Sequence, residues 1–196
     1  MEQLFKYKII GHTLDDAAGE AFDKFAKMLG LGFPGGQKVD QLAKGGDPSK
    51  FSFPRSMIKE DNLLMSFSGL KSSAHRLLTQ LGPEEMNKNL NDLCASFQEA
   101  VAEVLVSKLD HAVQKHKVRH VVITGGVSAN SRLREMAKTW ADKKSLQLMI
   151  PPLRYCTDNA AMIGLAGILR LNNGERHQMQ LGPSPSPWET DFTVEV

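Results

Sequence analysis

Residues 118–130 read VRHVVITGGVSAN: a β-branched run, then two glycines, then a residue of the type that caps helices. The run predicts a buried parallel strand from Val118 to Thr124. A helical pattern follows from about Ala129 to Lys143, and a second apolar run extends from Leu146 to Ile150. Strand, glycine turn, helix and strand in this order form a βαβ unit, so the sequence predicts an α/β fold.

The residues before this unit predict helices separated by glycine turns. A strand from Leu4 to Ile10 precedes a helix from Asp15 to Leu29, whose apolar residues share one face. Residues 33–36, FPGG, predict a turn, and residues 37–54 predict a loop with a short helical piece. A strand from Leu63 to Phe67 then leads into another helix.

The longest helix is predicted from about Glu84 to Lys115, after the preceding helix ends near Gly82. A last helix, rich in small residues, is predicted from Asp158 to Leu171. We therefore divide the chain into residues 1–172, which contain all these elements, and residues 173–196, a proline-punctuated tail that is extended or mobile.

Composition narrows the classes of function. The chain has 196 residues with a net charge of +2, so no global field would draw a polyanion or a membrane to it. Cys94 and Cys156 lie far apart and form no CxxC motif, which is typical of a reduced protein rather than a disulfide scaffold. Because no apolar run approaches the roughly 20 residues of a membrane span, we expect a cytoplasmic protein without membrane contact.

The turn after the first strand of the βαβ unit is a candidate binding site. Gly125 and Gly126 let the backbone approach a flat or anionic ligand, and Asn130 can hydrogen-bond a ribose or a base. A structural interpretation explains the same residues equally well, with Ser128 and Asn130 as helix caps. The segment is not a Walker A loop, since no GKS or GKT follows.

Two carboxylates are candidates for further roles. Asp23 lies near the apolar stripe of the first helix and before a glycine turn, so it is either a ribose clamp or part of a solvated face. Asp158 opens the last helix, where chemistry alone favours a cap over a metal ligand. No HExxH motif occurs, and no two histidines are predicted on one helix face, so a complete metal site is not visible.

Five segments in order are more specific than any one of them: DDAAGEAFDKFAKMLGLGFPGG, FSFPRSM, SFSGLK, ITGGVSAN followed by LR, and PPLRYCTDNAAMIGLAG. Together they resemble the C-terminal part of the TsaD family, the tRNA N6-adenosine threonylcarbamoyltransferases formerly described as O-sialoglycoprotein endopeptidases. The resemblance extends to about Leu171. It implies an actin, heat-shock ATPase and sugar-kinase (ASKHA) fold, with residues 1–172 as most of its C-terminal lobe.

The resemblance also implies an activity and a set of residues. Family members transfer threonylcarbamoyl from threonylcarbamoyl-AMP to N6 of adenosine 37 in tRNA, which forms t6A. Asp23, Gly36 and Asn130 match the positions that hold the adenylate, with Gly125 and Gly126 against the nucleoside. Asp158 matches a carboxylate that ligates a divalent metal, iron or zinc, which makes it a predicted ligand that also caps the helix.

The sequence departs from the family because the metal-binding histidine pair and the SGGHT segment of the N-terminal lobe have no counterpart in it. We therefore expect the chain to be inactive alone and to need tRNA, TsaB-like and TsaE-like subunits, and a separate N-terminal half or self-association. Met162, Leu165 and Leu169 should form an exposed apolar face on the last helix. Alternatives are a non-catalytic nucleotide-binding or subunit-interaction remnant and, more weakly, a metallopeptidase.

Overall fold

A computed structural model of the chain describes residues 7–176 and the backbone of residues 192–194. Within them lie the helices Ala18–Met28 (α1), Gly35–Ala43 (α2), Ser68–Lys88 (α3), Leu90–His116 (α4), Ser131–Lys144 (α5) and Ala160–Asn172 (α6). Short strands are Tyr7–Ile9 (β1), His120–Val122 (β2), Gln147–Met149 (β3) and Phe192–Val194 (β4).

The predicted βαβ unit is present as β2, α5 and β3. The two strands pair in parallel, with Val121 opposite Leu148, and α5 lies between them along the chain. α5 packs on α4 through a small apolar cluster that includes Leu133 and Ala137. The α/β prediction is confirmed. The prediction of a buried strand from Val118 to Thr124 is wrong in length and burial, since β2 has three residues and only Val121 among them is buried.

The main core forms where α1, α2, α3 and α4 meet. The rings of Phe25 and Phe97 stack with centroids 3.9 Å apart, and Phe22 and Phe53 approach Phe97 edge-on. Both arrangements are favourable for aromatic quadrupoles. α4 is the central helix of the core, as its long apolar stripe predicts.

Several predicted boundaries differ from those of the structure. The prediction that a helix ends near Gly82 is confirmed, since Gly82 has a non-helical φ of 72° that separates two helical stretches within α3. The long helix begins at Leu90 rather than Glu84, because Asn89, with φ of −107° and ψ of 16°, leaves the helical conformation. The short helical piece predicted within residues 37–54 is confirmed as α2, which begins already at Gly35, inside the predicted turn, because Val39 and Ala43 bury into the core. The strand predicted from Leu63 to Phe67 is reduced to one bridge between Thr13 and Met65.

The first helix begins at Ala18 rather than Asp15. The Asp15 carboxylate instead accepts hydrogen bonds from the backbone N–H groups of Phe67 and Ser68, at 2.7 and 3.1 Å, where α3 begins. It therefore satisfies donors at the start of a helix that lies 52 residues further along the chain.

The two ends of the chain contribute one pair of strands. β1 pairs in parallel with β4. Residues 4–6 of the predicted first strand, and residues 177–191 and 195–196 of the predicted tail, lie outside the described residues. Among the helices that the structure describes, none has both the length and the apolar character needed to cross a membrane.

Candidate functional site

A cavity of about 660 Å³ lies beyond the carboxyl ends of β2 and β3. It brings together four of the residues that the sequence singles out, from segments far apart along the chain: Asp23, Gly36, Gly126 and Asn130. Gly125, which directly precedes Gly126, is not among the residues that line the cavity; its φ of +86° is a backbone conformation that favours glycine. Loops beyond the carboxyl ends of parallel strands are a common place for ligands in α/β proteins.

Asp23 on α1 holds the start of α2, which forms one wall of the cavity. Its Oδ1 accepts a hydrogen bond from the backbone N–H of Gly35 at 2.8 Å, which satisfies a donor at the start of α2. Helix α2 approaches so closely there that a Cβ on Gly35 would lie 2.6 Å from the Cβ of Ala26. Among residues 7–176, the hydrogen bond of the Asp23 carboxylate uses Oδ1, which leaves Oδ2 available to a ligand.

Asn130 forms the opposite wall and serves the fold as well. Its Oδ1 accepts from the backbone N–H of Leu133 at 2.9 Å, so it caps α5, and its Nδ2 donates to Oε1 of Gln98 at 2.6 Å. The capping interpretation of Asn130 is therefore confirmed. Ser128 does not cap, since its buried Oγ has no partner in the part of the chain that the structure describes.

Helix α2 adds cavity residues that the sequence reasoning missed. Asp40 accepts from the backbone N–H and the hydroxyl of Ser131, at 2.9 and 2.6 Å, and so joins α2 to the start of α5. Lys44 brings a cation to the same cavity. Gly36, Asp40 and Lys44 follow one another at four-residue spacing, a signal that identifies one helix face only when this segment is read as a helix.

The third wall is the loop after β3, which contributes Leu153 and Thr157. Asp158 follows in this loop, is exposed, and does not line the cavity. The prediction that Asp158 caps α6 is wrong: Asn159 has the extended backbone of an N-cap, and its Oδ1 accepts from the N–H of Met162 at 2.9 Å. Its role as a metal ligand stays a prediction.

The residues that the structure describes do not make a complete metal site. No group of three or more His, Cys, Asp or Glu side chains among them is arranged to hold an ion. His116 and His120 stand four apart in HKVRH, but α4 ends at His116 and Lys117 turns left-handed, with φ of 52°. The pair therefore does not lie on one helix face, and Asp158 would need ligands from another segment.

Helix α6 presents the predicted apolar face to solvent. Met162, Leu165 and Leu169 are 42%, 60% and 38% exposed, so their predicted exposure is confirmed. The apolar surface is wider than predicted, since Ile163 and Ile168 are exposed as well, and no residue of α6 is buried. A helix whose apolar side chains lie in water has a surface suited to a partner.

Fold and cavity together define an α/β protein with a cavity beyond the carboxyl ends of its parallel strands, where ligands commonly bind in this class. The chain belongs to the TsaD family, since the family model described as tRNA N6-adenosine threonylcarbamoyltransferase matches residues 1–165.

Proteins that carry this description are similar over most of the chain. The protein of Bdellovibrio bacteriovorus is 63% identical over 186 residues, which are 95% of this chain and 54% of that protein. Those of Thermosipho africanus and Fervidobacterium nodosum are 47% and 42% identical, over 82% and 92% of this chain and 48% and 54% of their own lengths. The chain thus spans about half the length of the curated relatives it matches.

Proposed function

We propose that this chain supplies the adenylate-binding part of a tRNA N6-adenosine threonylcarbamoyltransferase and forms most of the C-terminal lobe of its ASKHA fold. The observation that carries the proposal is the cavity, in which Asp23, Gly36, Gly126 and Asn130 meet. Three of these match the family positions for the adenylate, and Gly126 matches the glycine turn against the nucleoside. Family membership makes t6A biosynthesis the context in which the cavity acts.

The cavity residues suit an adenylate chemically. Oδ2 of Asp23 can accept a hydrogen bond from a ribose hydroxyl, as acidic side chains do in nucleotide sites. Gly36 lacks a side chain, and a Cβ there would meet nothing closer than 3.8 Å, so the space beside α2 stays open to the nucleoside. Lys44 is a cation that can approach the phosphate.

The proposed reaction is an acyl transfer. The N6 amine of adenosine 37 attacks the carbamoyl carbon of threonylcarbamoyl-AMP and forms a C–N bond. The bond between that carbon and the phosphate oxygen breaks, AMP leaves with the electron pair, and N6 loses a proton. The contribution of this chain is to hold the AMP portion in one orientation, which removes much of the entropic cost of the encounter.

The other components are proposed from the same family resemblance. Asp158 would supply one ligand to a divalent metal, iron or zinc, while the remaining ligands would come from a segment with the family's histidine pair. Substrate tRNA, TsaB-like and TsaE-like subunits, and the N-terminal half or a second copy of the chain would complete the assembly in the cytoplasm. The chain alone would be inactive.

Calorimetric titration of the purified chain with AMP and with ATP tests the adenylate site. We expect one site, weakened about tenfold in Asp23→Asn, since the neutral amide still accepts from Gly35 but loses the charge-assisted bond to a ribose hydroxyl. Asp142→Asn, an exposed carboxylate on α5, is the matched control and should bind as the wild type does. Absence of binding in the wild-type chain contradicts the proposal.

A complementation experiment tests whether the chain contributes to threonylcarbamoyl transfer. The chain is mixed with tRNA, threonylcarbamoyl-AMP, ATP and the companion subunits, with or without the segment of the Bdellovibrio bacteriovorus relative that lies outside the match. Mass spectrometry of tRNA nucleosides should detect t6A only with that segment. Product formed by the chain and companions without it would overturn the proposed inactivity of the isolated chain.

A second candidate is a nucleotide-binding or subunit-interaction module without catalysis. It is favoured by helix α6, whose exposed apolar side chains offer a surface to another subunit. Such a module would bind AMP in the titration and form no t6A when the missing segment is added. The two experiments together therefore separate the enzyme from the remnant.

A further inference from the structure

Arg134 on α5 contacts two loops that meet at the cavity. Its Nε donates to the carbonyl oxygen of Ser128 at 2.6 Å, and its Nη2 donates to the carbonyl oxygen of Pro151 at 2.7 Å. Nη2 also lies 3.0 Å from Sγ of Cys156. One side chain therefore joins the glycine turn after β2 to the loop after β3.

No other hydrogen bond in the described structure makes this connection. The remaining hydrogen bonds of residues 151–158 stay within the loop, as when the N–H of Cys156 donates to the carbonyl oxygen of Leu153, or join Thr157 to Asn159, the N-cap of α6. Helix α6, which follows directly, has no buried residue. The position of the whole segment therefore depends strongly on Arg134.

The two joined loops are walls of the cavity. Gly126 and Asn130 line it from the glycine turn, and Leu153 and Thr157 line it from the second loop. We infer that Arg134 is a positioning residue that holds these two walls of the cavity together as a clamp. The part of this inference that concerns ligand binding rests on the proposed function, in which the cavity holds the adenylate. The same clamp sets where Asp158 stands relative to the nucleotide.

The chemistry of the clamp requires arginine. A guanidinium carries several N–H donors in one rigid plane, so Nε and Nη2 reach acceptors on two loops at once. A lysine ammonium is a single donor centre on a flexible stem and cannot span the same acceptors with fixed geometry. Among residues 7–176, Arg134 forms no ion pair, so its donors serve backbone carbonyls and one sulfur.

The rate at which Cys156 is alkylated measures whether Arg134 holds the two loops together. Cys156 is 3% exposed and lies against Arg134, whereas Cys94 is buried in α4 and reports on the core. In Arg134→Met we expect alkylation of Cys156 by N-ethylmaleimide, followed by peptide mass spectrometry, to become about tenfold faster, since local opening needs no global unfolding. Cys94 should stay slow. Arg134→Lys should fall between the wild type and Arg134→Met.

Arg132→Met is the matched control. Arg132 lies on the same helix and forms hydrogen bonds with Glu99 and Glu135, but touches neither loop. Its removal should leave the labelling rate of Cys156 unchanged. An unchanged Cys156 rate in Arg134→Met, or a parallel rise at Cys94, would overturn the clamp. If Arg134→Met does not fold, Arg134→Lys is judged by the same pair of cysteines.

The affinity for AMP separates a positioning role from a purely structural one. We expect AMP binding to weaken about fivefold in Arg134→Met and to recover in part in Arg134→Lys, since each wall contributes contacts to one ligand. Faster labelling of Cys156 with unchanged AMP affinity would overturn the positioning role. If the wild-type chain binds no AMP, the proposed function fails, and the labelling ratio still decides the clamp.

Discussion

Nδ2 of Asn130 donates a hydrogen bond to Oε1 of Gln98 across 2.6 Å, and the two side chains are only 8% and 5% exposed. Through this contact the residue that caps α5 is also attached to α4, the central helix of the core. The glycine turn ends at Asn130, so the wall of the cavity is fixed to the core at this point. Any role of Asn130 toward a ligand is therefore coupled to its role in the fold.

Asn130→Ala should lower the free energy of unfolding by about 2–4 kcal/mol. Loss of an N-cap costs roughly 1 kcal/mol, and Gln98 would be left buried without its partner, which costs about 1–3 kcal/mol. Urea denaturation of the variant and the wild type measures the difference. AMP binding to this variant is informative only under conditions in which it remains folded.

Asn159→Ala is the matched control for that prediction. Asn159 also caps a helix, by accepting from the N–H of Met162, but α6 has no buried residue. Its substitution should therefore cost about 1 kcal/mol or less. An equal loss of unfolding free energy in the two variants would show that the contact between Asn130 and Gln98 contributes nothing to stability.

Alanine substitution should lower the stability of the fold at Gly35 but not at the neighbouring Gly36. In Gly35→Ala the new Cβ would lie 2.6 Å from the Cβ of Ala26 and 2.8 Å from the Cα of Asp23, so helix α2 must move, at a cost of about 1–3 kcal/mol. In Gly36→Ala the nearest atom is 3.8 Å away, so the fold should tolerate the methyl group. Thermal unfolding followed by circular dichroism compares the two variants.

The same pair separates stability from binding. The methyl group of Gly36→Ala would stand at the cavity, so AMP affinity should fall by several-fold, on the order of 1 kcal/mol, while the melting temperature stays near that of the wild type. A melting temperature in Gly36→Ala as low as in Gly35→Ala would contradict the packing argument. An unchanged AMP affinity would place the nucleotide elsewhere.

Hydrophobic periodicity is sufficient to predict the elements that bury a continuous apolar stripe. The βαβ unit and the central part of α4 follow from apolar spacing alone. Helix α2 does not, because Pro34 and two glycines predict a turn while the hydrogen bond from Gly35 to Asp23 and the burial of Val39 favour a helix. That information lies in contacts between distant residues rather than in local sequence.

The candidate site, too, could be predicted only in part from the sequence. Spacing alone left Asn130 open between a cap and a ligand, and only the resemblance grouped it with Asp23 and Gly36 before the structure placed all three at one cavity. Asp40 was missed because the short helical piece predicted in its segment was given neither bounds nor a face. Arg134 belongs to the LR that follows ITGGVSAN, but its contacts could not be predicted from the sequence, since its acceptors include backbone carbonyls, which every residue type carries.

Asp15 should make stability depend on pH in the acid range. Burial raises its pKa, but hydrogen bonds from the hydroxyls of Ser66 and Ser68 and from backbone N–H groups lower it to about 2. An unfolded chain would titrate near 3.9. The stabilisation is therefore present above about pH 4 and is lost as the pH falls through about 2.

Asp15→Asn tests this dependence. Because Asp15 is exposed and solvent screens it, we expect the variant to lose only about 1 kcal/mol at pH 6, and the difference from the wild type to shrink toward pH 2. Urea denaturation at both pH values measures it. Asp142→Asn, at a carboxylate without a hydrogen-bond partner in the described residues, should show no such change, and a constant difference for Asp15→Asn would refute the linkage.

Helix α6 should govern self-association of the isolated chain. Leu165→Glu combined with Ile168→Glu places two charges on its exposed apolar surface and should reduce both light scattering and hydrophobic-dye binding. The midpoint of urea unfolding should stay unchanged, because no residue of α6 is buried. Leu14→Glu is the matched control: Leu14 is 57% exposed, outside α6, and its substitution should leave scattering as in the wild type. Equal effects of both changes would mean that general surface charge, rather than the α6 face, controls association.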